Sequence, residues 1–162
     1  MNASTKVRDP GRAVSLYERS WADGVPIAAF RLGEYYENAS PAADASKAWL
    51  WYQKGADAGE PNALARFAVL EERNALPELD PSKRNALLLQ AFMHYGAAAE
   101  RARDEDWPDE AWKHWRYRRA TLARVLARDG LMQQVADAYS KVLEQRPREL
   151  TWWEQIKQKM RL

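Results

Sequence analysis

The chain has 162 residues, of which 46% are hydrophobic and 30% charged, with a formal net charge of +2. That length suits one domain with room for a substantial core, and the absence of cysteine excludes disulfides and thiol chemistry. No apolar run approaches the roughly 20 residues that span a bilayer.

The N-terminal stretch MNASTKVRDPGR lacks the apolar segment of a secretory signal. The expected location is cytoplasmic, or periplasmic if the chain is a fragment of a longer exported or anchored protein. The charge is unevenly placed. Residues 1–81 carry 9 Lys+Arg against 12 Asp+Glu, and residues 82–162 carry 16 against 11. An acidic half followed by a basic half implies two faces or two partners.

In chain order, Asp9 and Pro10 are a cap and first-turn pair for a helix over 10–22. A second helix is expected over 26–38, then a turn at 39–43. Asp44 caps a third helix, and Gly59 and Pro61 end it and start the fourth. In the third helix Ala48, Tyr52 and Ala56 recur one turn apart, which makes a stripe on which a neighbouring helix can pack closely. A shift of 35 superposes Asp9, Ala13, Tyr17, Gly24, Ala28, Arg31 and Leu32 on Asp44, Ala48, Tyr52, Gly59, Ala63, Arg66 and Phe67. A period in the mid-thirties points to stacked helical hairpins.

Residues 28–63 resemble a Sel1-like repeat through Ala28, Leu32, Gly33, Tyr36, Asp44, Lys47, Ala48, Trp51, Tyr52, Lys54, Ala56 and Gly59. The chain departs from that pattern in the turn, where Asn38-Ala39-Ser40-Pro41 stands for glycines, and at Gly55, which replaces an alanine.

The fourth helix carries Leu64, Phe67, Ala68 and Glu71. A longer helix follows over 82–103, with Leu87, Leu88, Ala91, Met93, Tyr95 and Ala98 spread over more than one face. That spread predicts a central position in the stack. Residues 116–149 resemble a tetratricopeptide repeat: Leu122, Ala123 and Leu126 form one buried stripe, Gly130 the turn, Val135, Tyr139 and Val142 the facing stripe, and Pro147 the close. A helix from about 149, with Trp153 and Ile156, either caps the stack or begins a further unit. No segment alternates with period two, so no sheet is expected.

The expected fold is therefore all-α: one domain of about eight helices in antiparallel pairs. The two resemblances imply a right-handed α-α superhelical solenoid, with Sel1-like hairpins over 10–103, a tetratricopeptide-like hairpin over 107–149 and a closing helix over 149–162.

Catalytic chemistry finds little support. His94 and His114 lie twenty residues apart with no metal-ligand spacing, and no nucleophile elbow or phosphate loop is present. The pairs Glu71-Glu72 and Asp109-Glu110 read as ordinary helix-end charges. No enzyme activity, cofactor or metal is expected.

One helix face stands out. Lys113, Tyr117, Thr121, Arg124 and Arg128 share a face by their spacing, apart from Trp115, Leu122 and Leu126. The tetratricopeptide resemblance implies that Tyr117, Arg124 and Arg128 line a concave groove, extended by Gln158 and Arg161. Guanidinium groups beside an aromatic ring suit an acidic peptide or a C-terminal carboxylate. Trp49 and Trp152 each neighbour a tryptophan that fits the buried register, which leaves both outward as candidate interface anchors.

The family resemblance implies a non-catalytic adaptor or scaffold that holds a partner protein or peptide, in a bacterial envelope, secretion or exopolysaccharide assembly. The alternatives are a toxin-neutralising partner and an anionic-polymer binder that uses the basic half. For the latter an acidic polysaccharide is favoured over nucleic acid, since the arginine run is short and no nucleic-acid motif is present.

Overall fold

The computed structural model describes residues 10–38 and 43–144. Among them the chain is all-α, with seven helices and no strand: α1 (Pro10–Ala22), α2 (Ile27–Asn38), α3 (Ala45–Asp57), α4 (Pro61–Ala75), α5 (Pro81–Asp104), α6 (Asp109–Arg128) and α7 (Met132–Glu144). No helix among the described residues is long and apolar enough to cross a membrane.

Local chemistry sets the boundaries. Asp44 accepts from the backbone N–H of Lys47 and starts α3. Asp80 accepts from Ser82 N–H at 2.8 Å and places Pro81 in the first turn of α5. At α4 the cap is Glu60, nearly buried, whose carboxylate accepts from Ala63 N–H at 2.6 Å just ahead of Pro61. Such caps satisfy backbone donors that the first turn leaves without partners.

Four helices stop in the same way. After α1, α3 and α6 a glycine adopts positive φ, at Gly24 (+80°), Gly59 (+76°) and Gly130 (+80°). After α5 the same place is taken by Asp106 at φ 55°. In each case the next residue's N–H donates to the carbonyl five residues back, as in Val25 to Ser20, Glu60 to Gly55, Trp107 to Ala102 and Leu131 to Leu126. This closes the orphan carbonyls of the last turn and reverses the chain tightly.

The long α5 is central, as its two-sided apolar pattern predicts: it packs against α4, α6 and α7. α7 lies mainly on α5 and touches α6 less. The main core cluster joins Ala68, Ala91, Phe92, Tyr95, Leu122, Leu126, Val135 and Ala138. A second cluster, around Ala48, Tyr52 and Phe67, joins α3 to α4.

The odd-numbered helices share a pattern that explains how they pack. α3 buries Ala48, Tyr52 and Gly55, α5 buries Ala91, Tyr95 and Ala98, and α7 carries Val135, Tyr139 and Val142 at the same spacing. Gly55, rather than Ala56, is thus the third member of the α3 stripe. A Cβ on Gly55 would lie 2.7 Å from the Cβ of Ala63, so α3 and α4 cross where only glycine fits. The departure from the repeat pattern at Gly55 is a packing requirement.

Candidate functional site

Two polar joints hold successive helix pairs together. At the first, the Tyr52 hydroxyl on α3 donates to Glu37 Oε2 on α2 at 2.7 Å, and Arg66 on α4 donates from Nε to the same oxygen at 3.0 Å and from Nη2 to Oε1. At the second, the Tyr95 hydroxyl on α5 donates to Glu72 Oε2 on α4 at 2.9 Å, and Arg118 Nη2 on α6 donates to Glu72 Oε1 at 2.5 Å. The same three groups recur: an acid from one even-numbered helix, a tyrosine from the next odd one, and an arginine from the next even one.

These groups act on each other's protonation. Burial works to raise the Glu37 carboxyl, but hydrogen bonds from Arg66 and Tyr52, with the charges of Arg66 and Arg73, hold it below the usual carboxylate value. Burial and the adjoining carboxylates push the Tyr52 and Tyr95 hydroxyls well above their ordinary value. The hydrogen bond to Glu72 raises Arg118. Each joint ties three helices together through one carboxylate that accepts from a phenol and from a guanidinium.

A groove opens among α3, α4, α5 and α7. It is open to solvent, has a volume of about 700 Å³, and receives Trp49, Gln53 and Ala56 from α3, Leu64, Phe67 and Glu71 from α4, Leu87, Gln90, Met93, His94 and Ala97 from α5, and Val142 from α7. Trp49 packs against Phe67 with ring centroids 4.4 Å apart, and Phe67 meets His94 edge-on at 5.4 Å. His94 Nδ1 lies 2.7 Å from Oε2 of the nearly buried Glu71. The groove is therefore a mostly apolar trough with two glutamines and one acid–imidazole pair along it.

Tyr117, Arg124 and Arg128 do share an exposed face of α6, and Tyr117 is 63% exposed. None of the three lines the groove. Trp49 is half-buried rather than outward, held by Phe67, and it does line the groove. Trp51 packs edge-on against Trp21 at 6.2 Å, with the Lys54 ammonium 4.0 Å from its ring. Trp152, Gln158 and Arg161 lie outside the described residues.

Several residues of the joints and the groove were not singled out by the sequence. Glu71 and Glu72 were read as helix-end charges. Glu71 instead meets His94 of α5, and Glu72 meets Tyr95 of α5 and Arg118 of α6. A signal did exist: Glu37 and Glu72 are 35 apart, the offset that also relates Arg31 to Arg66. Gln53 and Gln90 carried no signal, since an exposed glutamine on a helix is unremarkable until a neighbour forms a wall beside it.

Comparison of the chain with protein-family models, curated proteins and solved structures gave no match.

Proposed function

We propose that the chain is a non-catalytic adaptor whose helices continue as a right-handed α-α solenoid, related in plan to Sel1-like and tetratricopeptide repeats. The recurrence of the Glu–Tyr–Arg joint, at Glu37–Tyr52–Arg66 and Glu72–Tyr95–Arg118, supports a repeating plan. So does the common packing stripe of α3, α5 and α7.

The observation that carries the function is the groove across α3, α4, α5 and α7. Its aromatic, methionine and aliphatic lining suits the apolar face of a partner's peptide segment. Gln53 and Gln90 are placed to hydrogen-bond that segment's polar groups. The segment comes from another protein, and the groove selects it by shape and apolar content rather than by charge. The arginine row of α6 lies apart from this groove, so an acidic segment is not what the groove's own chemistry favours.

The test is a capture experiment with the parent and the double variant Gln53→Arg/Gln90→Arg. Both side chains are exposed, so the fold should tolerate the change while two bulky cations obstruct the trough. Captured protein should be lost from the variant at an unchanged melting temperature, and hydrogen exchange of the complex should slow in α3 and α5. Undiminished capture by the folded variant would place the partner surface elsewhere.

A further inference from the structure

Glu71 and His94 are the only titratable side chains among the described residues that line the groove. The Glu71 side chain is 5% exposed and that of His94 29%. A polar group as deep as Glu71 needs a partner, and it has one in His94 Nδ1, 2.7 Å from Oε2. Phe67 holds the imidazole on a second side, at 87° to it with centroids 5.4 Å apart.

A carboxylate accepts hydrogen bonds and does not donate, so the ring nitrogen that faces it carries the hydrogen. The other nitrogen, Nε2, is left as an acceptor. Ring geometry points it away from Glu71. It has no protein partner among the described residues and is open to solvent. Gln53 and Gln90 present amides that both donate and accept, so they do not tell a ligand's donors from its acceptors. His94 does.

We infer that His94 Nε2, oriented through Glu71, is the groove's selective acceptor, and that the bound segment presents to it a hydrogen-bond donor on an otherwise apolar group. This rests on the groove being the binding site. Covering Nε2 with an apolar group of the same shape but no donor would leave it desolvated and unpaired, and the groove discriminates against such a ligand. Glu71 is a positioning residue, since it acts through the imidazole.

The test uses the full chain and needs no partner protein. Both histidines are isotope-labelled at the ring nitrogens, and His114→Gln identifies the magnetic-resonance signals of His94. At about pH 9, above the range in which imidazoles titrate, His94 should carry its hydrogen on Nδ1. Indole, apolar with a single N–H, should shift the Nε2 resonance on titration. N-methylindole keeps the shape and lacks the donor. It should bind about fivefold more weakly, the scale of one net hydrogen bond, and leave Nε2 unshifted. Glu71→Gln should mix the two tautomers and shrink the difference between the probes. Should Glu71→Gln fail to fold, His94→Phe, at a half-buried position, should bind both probes equally. A hydrogen on Nε2 in the parent overturns the inference, as does equal affinity of the parent for the two probes, or binding of neither. Neither readout depends on capture. If both fail while Gln53→Arg/Gln90→Arg still loses the captured protein, the groove stands and its selective acceptor does not.

Discussion

The ring of Tyr52 occupies the volume that a side chain at Gly33 would need, since a Cβ built on Gly33 would overlap the ring's Cδ1 and Cε1. α2 and α3 thus approach at a contact set by the absence of one methyl group and the presence of one fully buried phenol. Gly33→Ala should therefore be destabilising even though alanine is the better helix former. Intrinsic propensity favours the alanine by about 1 kcal/mol, whereas overpacking a buried aromatic costs typically about 1–3 kcal/mol. A net fall in thermal stability is expected, and a raised melting temperature would show that the helices separate at little cost.

Tyr52→Ala removes the same contact from the other side. It deletes a buried ring that packs on Phe30 at 5.9 Å and a hydroxyl bonded to Glu37. A loss of about 3–5 kcal/mol is expected, the range for large aromatic truncations in a core. Chemical denaturation of this variant beside Lys54→Ala, a half-buried lysine of the same helix, measures the difference.

The joint at Glu37 predicts a pH dependence of defined sign. Its folded carboxyl lies below the ordinary 4.5 because Arg66 and Tyr52 hold it ionised against the opposing effect of burial. A depressed carboxyl contributes stability that is complete above its unfolded value and is lost as pH falls through the folded one. The parent should therefore lose part of its stability as pH drops below about 4.5. Glu37→Gln should be less stable than the parent at pH 7, and the gap should narrow as acid is added. A gap independent of pH over that window would mean the carboxylate charge contributes nothing at this joint.

Asp106 sits where three other helix ends of this chain use glycine. Left-handed backbone is strained for a residue with a Cβ, less so for aspartate than for most, and glycine relieves it. Asp106→Gly should stabilise the protein by up to about 1 kcal/mol, seen as a rise in melting temperature. Gly24→Ala should do the opposite, although nothing lies within 4 Å of the added methyl, because its φ of +80° is itself the obstacle.

The helices and most of their ends were legible in the sequence because each rests on local chemistry: Asp44 as a cap, Pro61 in a first turn, Gly59 and Gly130 as stops. The recurring Glu–Tyr–Arg joint was legible only where its residues kept a constant spacing. From Glu37 to Glu72 the offset is 35, but from Tyr52 to Tyr95 it is 43 and from Arg66 to Arg118 it is 52, with the 24-residue α5 in between. A fixed shift therefore finds the first joint and misses the second. The face of Tyr117, Arg124 and Arg128 was legible as a face, since spacing fixes angle around a helix axis. Spacing does not say which helices pack beside that face, and so it could not place the groove.

Two tryptophans two residues apart on α3 separate folding from binding. Trp51 packs on Trp21 and beneath Lys54 and does not line the groove, whereas Trp49 lines it beside Phe67. If the groove holds the partner's segment, Trp49→Ala should weaken binding by about thirtyfold or more, the effect of losing a central aromatic anchor. Its cost in stability should be smaller than that of a fully buried ring, because one side of Trp49 already meets solvent. Trp51→Ala should show the reverse: a lowered melting temperature, and unchanged affinity for the fraction that remains folded. Titration of both variants against the captured partner, with melting curves recorded in parallel, resolves the two effects. Equal losses of affinity in the two variants would mean that binding follows the integrity of α3 as a whole, and the groove would then lose its claim to the partner.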